Sequence, residues 1–500
     1  MSLLGLDIGT SGCKAVTFSE DGQVLALAYE EYDYQRPQPG WAELDPVDIW
    51  SKVKHCITHV TAATRSSPVR ALSISSMGEA MVPVSHDRRI LGPSLTNADG
   101  RGEEYLAGLR LTMSDEQLYA INGNPLGNHY SLTKLMWMRD HRPEVYQAAE
   151  HFLHWSSFIG FMLGADACVD YSLANRTLLF DLEQQTWSGT LVQWADLDMA
   201  KLPKTVPSGT VIGQVSSALA QELGLPKQTP IVSGAHDQCA NAIGCGVIHE
   251  GQAMYGMGTF VCAVPVFRQR RETHAMLARG INTEHHAFHE RFVSFIYNHG
   301  GSLLKWYRDT FAALERQMVQ KEGGDIYARL IAEMPENPSK VMVLPHFAPT
   351  GPPDFISDSS GVICGIRLDT TRGDVLKGIL QGITCYIRAC LETLPAIGIA
   401  IDNFRAVGGG SKSDAWIQLT ADIFARPIIR PEITEAGALG AAILAGAATG
   451  VFNSIEEGCQ TMIRLGRSFE PQSKNLHIYD DYFSRYKELW PMMSSYLRHL

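Results

Sequence analysis

Leu3 to Val16 reads Leu-Leu-Gly-Leu-Asp-Ile-Gly-Thr-Ser-Gly-Cys-Lys-Ala-Val, two apolar runs around a turn with one carboxylate (Asp7), two glycines, two hydroxyls (Thr10 and Ser11) and Lys14. Such a turn suits phosphate and metal: backbone N–H groups and hydroxyls donate to phosphate oxygens, and the carboxylate holds a cation. Ala253 to Pro265 repeats the shape around Gly256-Met257-Gly258-Thr259. Repetition of one supersecondary unit predicts two like-folded lobes, each presenting a phosphate-facing hairpin. The boundary is placed near Ile248, giving residues 1–247 and 248–500.

Two further segments carry chemistry. Asp237 follows the apolar strand Pro230 to Ser233 within Gly234-Ala235-His236-Asp237-Gln238. A lone acid at the end of a buried strand, flanked by small residues, is costly unless it is used; the competing reading is a helix N-cap. Gly408-Gly409-Gly410-Ser411-Lys412-Ser413-Asp414 lies between a strand, Asn403 to Val407, and a helix, Ala415 to Phe424. Consecutive glycines let a backbone touch a flat or anionic ligand, and a helix N-terminus adds a favourable field; a plain tight turn is the alternative. Neither glycine segment is a Walker A loop or a dinucleotide fingerprint.

Phosphoryl transfer needs positioning, a carboxylate to take the acceptor proton and another to hold magnesium. Asp237 suits the first task and Asp7 the second; one or two carboxylates suffice for an ion that keeps several waters. Ser76-Met77-Gly78-Glu79 and Thr96-Asn97-Ala98-Asp99-Gly100-Arg101 lie beyond strand ends, where α/β sheets bind ligands. His285, His286 and His289 lack acid or Cys company and read as structural.

The positioning elements follow from periodicity and turn chemistry. Glu20-Asp21-Gly22 joins Ala15–Ser19 to Val24–Tyr32 as a hairpin. Asp45 to Ala63 reads as a helix with Asp45 as N-cap, Pro46 at the first helical position and a stripe of Val47, Trp50, Val53 and Ile57. A strand, Val69 to Ser75, completes a βββαβ pattern. Further helices are expected over Ser131–His141, Phe158–Leu163 and Ser217–Leu223, and in the second half over Leu303–Arg308 and Val375–Leu394, with strands at Phe292–Tyr297 and Val341–Leu344.

Length and composition agree with a globular α/β chain of two or more domains: 500 residues, 45% hydrophobic and 19% charged. The net charge of −11 without a basic run argues against a nucleic-acid partner. No apolar stretch reaches the roughly 18 residues of a membrane span. The N-terminus enters a strand without a basic start and apolar core, and the ten cysteines form no Cys-x-x-Cys pair, so a reducing cytoplasm is expected.

These motifs resemble the FGGY family of carbohydrate kinases, within the actin, sugar kinase and Hsp70 group. The resemblance covers nearly the whole chain and implies two ribonuclease H-like, actin-like ATPase lobes with a cleft between them, and ATP and Mg²⁺ as cofactors. Asp7-Ile8-Gly9-Thr10-Ser11 resembles the first phosphate motif, in which the Asp holds magnesium and the hydroxyls face phosphate, and Lys14 falls where the family carries a basic residue. Ser131 to Trp137 and Gly361 to Gly382 resemble the two signatures, with Gly378 in place of a usual Ala or Ser. The resemblance implies that Asp237 is the general base, that Gln238 contacts substrate, that Gly258-Thr259 forms the second phosphate motif, and that Gly301, Gly409, Gly410 and Asp414 line the nucleotide. Met77, Glu79, Asp99 and Arg101 align with sugar- or polyol-binding segments. Xylulose kinases tend to carry Met-His and Trp-Asn-Asp-Gly-Arg there; this chain has Met77-Gly78-Glu79 and Asn97-Ala98-Asp99-Gly100-Arg101. Glu79 is instead similar to glycerol kinases and related polyol or autoinducer kinases. The implied activity is phosphorylation of a small neutral sugar or polyol, a ketopentose such as xylulose first. The alternatives are another acceptor (glycerol, tetritol, gluconate, deoxyhexulose or autoinducer-type) and a non-catalytic or chaperone-like ATPase. A homodimer is compatible with it.

Overall fold

The computed structural model describes residues 1–353, 355–433 and 435–499. Its first sheet begins with a hairpin, β1 (Ser2–Ile8) against β2 (Gly12–Ser19), which sets Asp7 opposite Lys14, and continues to an edge strand, β3 (Val24–Glu31). Helix α1 (Pro46–Ala63) starts where Asp45 accepts hydrogen bonds from the Val47 and Asp48 backbones at 2.9 and 3.4 Å. Its buried face is Pro46, Ile49, Val53, Cys56, Ile57 and Val60, while Val47 is 61% exposed. The expected stripe is therefore right at Val53 and Ile57, holds Trp50 half-buried against the same core, and is wrong at Val47: stepping back four residues from Val53 leads to Ile49, and three more lead to Pro46.

Strand β4 (Val69–Ser76) lies parallel to β1 and pairs Ser75 with Asp7. Helix α2 (Ser131–His141) spans its expected residues and is buried from Ser131 to Met138. A strand, β5 (Val211–Gln214), pairs antiparallel with β6 (Pro230–His236), which runs parallel to β4, so the sheet order is β5-β6-β4-β1-β2-β3. Strand β6 continues three residues past the expected Ser233. A Cβ on Gly234 would lie 1.7 Å from the Ile74 carbonyl, so glycine here permits close strand contact instead of ending the strand. Helix α3 (Asp237–Gly244) follows without a gap.

The second half repeats this winding. Strands β7 (Gly251–Met257) and β8 (Phe260–Phe267) form the second hairpin; helix α4 (Gly301–Phe311) and the long helix α5 (Arg372–Leu391) follow. Strand β9 (Ile401–Val407) lies parallel to β7. A 3₁₀ turn, Gly409–Lys412, leads to helix α6 (Asp414–Phe424), then β10 (Ile428–Pro431) parallel to β9, helix α7 (Ala436–Ala448) and β11 (Leu465–Phe469). The order β8-β7-β9-β10-β11 extends beyond β8 through the short strands Ile296–His299, Phe292–Val293 and Glu284–His285, so the expected single strand Phe292–Tyr297 is broken in two. Helix α5 starts three residues early because Thr371 and Asp374 form a capping box, with backbone N–H bonds of 3.2 and 2.9 Å. Gly378 in α5 has a packing reason: a Cβ would meet the Val341 carbonyl at 2.8 Å.

Helices α3 and α7 cross in backbone contact. A Cβ on Gly244 would lie 1.8 Å from the Ala436 carbonyl, and one on Gly440 would lie 2.0 Å from the Ala240 carbonyl. Helix α7 also lies on β1, where a Cβ on Gly5 would meet the Ala438 carbonyl at 1.8 Å. Around this crossing one apolar core joins Leu3, Val16 and Val232 to Met254, Val264, Leu439 and Ile443. Burial at this crossing joins the two sheets, and Asp7 and Lys14 of the first hairpin share one cavity with Gly258 and Thr259 of the second. All ten cysteines are free thiols. Among the described residues no helix is long and apolar enough to cross a membrane.

Candidate active site

Asp7 sits one residue from the end of β1, where its neighbour in register on β4, Ser75, donates from Oγ to Oδ1 at 2.9 Å. Burial pushes the carboxyl above its usual range, against the Ser75 hydrogen bond and the Lys14 charge. Lys14 Nζ donates to Glu435 Oε2 at 2.8 Å, tying β2 to the start of α7, and a Cβ on Gly437 would lie 3.1 Å from the Asp7 carboxyl. Thr10 and Ser11 are exposed at the tip, which Gly9 closes by donating to the Gly12 carbonyl at 2.9 Å. In the second hairpin Gly258 donates to the Phe260 carbonyl at 3.0 Å, and Gly301, the first residue of α4, donates to the Gly258 carbonyl at 2.9 Å.

Two cavities meet at this second hairpin. The larger, about 1090 Å³, is lined by Gly258, Thr259, Gly301, Gly409 and Gly410, with Trp306 and Trp416 as apolar walls. The smaller, about 290 Å³, is lined by Asp7, Lys14, Gln238, Gly258, Thr259 and Gly437. Both include Met257, Gly258 and Thr259, so they form one run from the aromatic walls to Asp7. No atom lies within 4 Å of a Cβ built on Gly409, and the buried Trp416 Nε1 has no partner. Aromatic walls, open glycine backbone, hydroxyls and one half-buried carboxylate form a donor set that fits a nucleotide with its magnesium ion.

Asp237 opens α3, but the cap position is His236, which makes no side-chain cap bond, so the N-cap reading does not describe this residue. The Asp237 side chain keeps 28% of its surface exposed, with His236 Nε2 3.1 Å from Oδ1 and Gln238 Nε2 donating to the same oxygen at 3.3 Å. Burial, then the charges of Asp7 and Glu79, push its carboxyl up to about 7.

Met77 is buried, its N–H donating to the Ile8 carbonyl at 2.9 Å, and Glu79 is buried beside Arg176, whose Nε donates to Glu79 Oε1 at 2.8 Å. Burial opposes ionisation of Glu79, but Arg176, and after it His236 and His129, hold its carboxyl at about 2. Arg176 Nη1 also reaches Glu284 Oε1 at 2.5 Å, and Asn282 Nδ2 donates to the same oxygen at 2.7 Å.

Asp7 and Gln238 thus line one cavity, Gln238 bonds Asp237, and the charges of Asp7 and Glu79 both act on that acid, while Gly258, Thr259, Gly301, Gly409 and Gly410 line the larger cavity. Three residues stand apart. Asp99 accepts from the Ala42 and Arg101 backbones at 2.7 and 2.9 Å and from Arg101 Nη2 at 2.6 Å. Arg101 in turn reaches Glu43 at 2.7 Å and lies 3.8 Å over the Trp41 ring. Asp414 is held by Arg430 at 2.7 Å and by Arg467, outside the residues lining either cavity. His285 and His286 bond the Leu182 and Val247 carbonyls at 2.8 and 2.9 Å.

Arg176, Glu284, Gly437 and the His236 imidazole escape sequence reasoning. Of these only His236 lies beside a residue of evident chemistry; the others are linked to the site by the winding of the sheets.

Residues 2–244 match the FGGY family of carbohydrate kinases, N-terminal domain, and residues 279–449 match its C-terminal domain. A xylulose kinase of Staphylococcus epidermidis is 27% identical over 98% of this chain and 96% of its own length. A glycerol kinase of Albidiferax ferrireducens is 30% identical over 94% of this chain and 95% of its own. The crystal structure of a xyloylose kinase from Brucella ovis superposes with a TM-score of 0.87 at 25% identity, covering 99% of this chain and 100% of the other.

Proposed function

The chain belongs to the FGGY family of carbohydrate kinases and is a sugar or polyol kinase, and from that premise we propose that it uses ATP and Mg²⁺ to phosphorylate a hydroxyl of a small neutral substrate, a ketopentose such as xylulose. The observation that carries this reading is the place of Asp237, at the first position of α3 and bonded to Gln238 of the smaller cavity, where burial and the charges of Asp7 and Glu79 raise its carboxyl to about 7. A carboxylate of that basicity is half ionised near neutral pH and takes a hydroxyl proton more readily than an ordinary aspartate.

Asp237 accepts the acceptor proton. Asp7 would hold the magnesium ion, with Thr10, Ser11, Thr259 and the Gly258 backbone facing phosphate oxygens and Lys14 fixing Glu435 at the rim. Gly301, Gly409 and Gly410 would take the rest of the nucleotide; for Asp414, bound by two arginines, a supporting role under the same turn suits its contacts better. Bound magnesium neutralises charge on the transferring phosphoryl group. Gln238 orients Asp237 or the substrate from the next position. Arg176 binds Glu79 through Oε1, so Oε2 is the oxygen available to a substrate hydroxyl. Met77 walls the pocket, and Asp99 with Arg101 would support it from behind through Glu43 and Trp41. We keep the lobe boundary near Ile248.

Neutrality of the substrate is supported by charge. Arg176 is shared by two carboxylates, Glu79 and Glu284, and Asp7 and Asp237 add negative charge, so an aldonate such as gluconate would meet uncompensated repulsion. One observation favours a second acceptor class: Gly78-Glu79 stands where xylulose kinases tend to have His, which suits glycerol or another polyol.

The test is ADP release measured across pentuloses, hexuloses, tetritols, glycerol and gluconate. One neutral acceptor should stimulate release strongly and gluconate should not. Asp237→Asn should lower acceptor-dependent turnover about 10³-fold while ADP binding survives. Undiminished turnover in that variant would remove Asp237 as base; ADP release that no acceptor stimulates would favour an ATPase on this scaffold.

A further inference from the structure

The His236 imidazole is 92% buried, as its 8% side-chain exposure states, and lies between the base and the substrate segment. Its Nε2 is 3.1 Å from Asp237 Oδ1. On its other side a Cβ built on Gly78 would lie 3.2 Å from the same nitrogen, tighter than an ordinary contact, so the absence of a side chain at Gly78 makes room for the ring. Phe295 packs edge-on against it, centroids 5.1 Å apart at 70°. The main chain is equally constrained: His236 N donates to Ser172 Oγ at 2.9 Å, and that hydroxyl donates to Asp170 Oδ1 at 2.5 Å.

The protonation state follows from the surroundings. His236 Nδ1 is buried without a partner. An imidazolium would leave that N–H unsatisfied, the costlier of the two ways of leaving a ring nitrogen unpaired, and would stand near the Arg176 charge. Burial and Arg176 hold the imidazole neutral, its conjugate acid at about 3. The single ring proton therefore belongs on Nε2, the nitrogen 3.1 Å from the Asp237 carboxylate.

We propose that His236 is a positioning residue for the base, its Nε2 edge, 3.1 Å from Oδ1, confining the Asp237 carboxylate to the orientation that faces the acceptor hydroxyl, with Gly78 kept small to admit the ring. This rests on the reading of Asp237 as general base. The imidazole is one of several groups acting on that carboxylate: Asp7 on β1, Glu79 beyond β4 and Gln238 on α3 act on Asp237, and Arg176, Glu79 and His154 act on the ring. The positive end of an N–H dipole beside the ionised form lowers the pKa of an acid, so loss of that group raises it.

The experiment is steady-state kinetics of the full chain across pH with its accepted neutral substrate, for His236→Phe, His236→Gln, Gly78→Ala and Asp237→Asn, with ADP affinity and thermal melting as controls. His236→Phe should lower kcat about 10- to 100-fold, leave KM for ATP within about twofold, and move the acidic limb of kcat/KM to higher pH. His236→Gln, whose amide N–H can reach the same oxygen, should recover to within about fivefold of the native kcat and restore the limb. Gly78→Ala, which displaces the ring while leaving its chemistry intact, should fall between the two. Native kcat and an unmoved limb in His236→Phe overturn the proposal, as does equal loss in the Phe and Gln variants with the limb unmoved, which would make the ring mere filling. If Asp237→Asn is inactive and His236→Phe is native-like, the positioning role alone fails; if Asp237→Asn retains turnover, the base assignment fails with it.

Discussion

Asp7-Ile8-Gly9-Thr10 at the end of β1 and Gly256-Met257-Gly258-Thr259 at the end of β7 occupy one place in two copies of the same strand arrangement. Each belongs to a hairpin whose first strand pairs in parallel with a neighbour, β4 or β9, that pairs in turn with a further parallel strand, β6 or β10. The side chains differ. Asp7 is a half-buried carboxylate; its counterpart is Gly256, in the same cavity. Strand β6 delivers Asp237 to the first position of α3, whereas β10 leads to Ala436 at the first position of α7. The first half concentrates acids at its strand ends and the second concentrates glycines, so a ligand between them meets carboxylates on one side and open backbone on the other. Sheet winding sets where the groups converge, and residue choice at three or four strand ends sets what they do.

Exchanging these roles should break the asymmetry. Asp7→Asn, which makes the first hairpin resemble the second, should cost at least about 100-fold in kcat and raise the magnesium concentration needed for half-maximal rate. The same change removes the charge that contributes most, after burial, to lifting Asp237, so its residual activity should keep its acidic limb at a lower pH than the native enzyme. Gly256→Asp, the reverse exchange, should raise KM for ATP about 10- to 100-fold, because a second carboxylate would face the phosphates across the cleft. Space does not forbid it: the nearest atoms to a Cβ there are 3.7 Å away. Gly440→Ala tests the joint between the halves. Its Cβ would collide with the Ala240 carbonyl at 2.0 Å, and thermal melting should report a loss of about 1–3 kcal/mol.

In the native enzyme kcat/KM should reach half its plateau near pH 7 and fall about tenfold per pH unit below that, since Asp237, as the proposed base, must be ionised to act and its carboxyl is raised to about 7. The folded state then binds that proton more tightly than the unfolded chain. Its stabilising contribution is complete below the ordinary aspartate range and is lost as pH rises through 7, so Asp237→Asn should raise the melting temperature more at pH 8 than at pH 5. The smallest effect belongs to Gly256→Ala: ordinary contacts at 3.7–3.8 Å predict less than about a threefold change in either kinetic constant.

Glycine turns, the acid after an apolar strand and the repeat at mid-chain are legible in one dimension. Each is a backbone preference or an alternation extending over a few residues, and the structure keeps them as two hairpins, a strand-to-helix junction and a 3₁₀ turn. Local signals failed where glycine served two purposes: Gly234 looks like the end of a strand and instead admits the Ile74 carbonyl. They failed again at α1, where Val47 is apolar but points outward.

The electrostatic surroundings of these residues belong to the tertiary structure. Arg176 is 97 positions from Glu79 and 108 from Glu284, and no spacing rule joins them; parallel winding and the Gly244–Gly440 crossing bring all three together. The same winding turns Asp99 and Arg101 inward to Glu43 and Trp41 and binds Asp414 to Arg430, though all three look as available in the sequence as Asp237. Residue type and short-range pattern therefore identified the groups able to hold a metal, contact phosphate or move a proton. Which of them sit in low dielectric beside which charges, and so which acid has the basicity to take a proton near pH 7, was decided by contacts across the fold, because desolvation and Coulomb terms depend on distance in space.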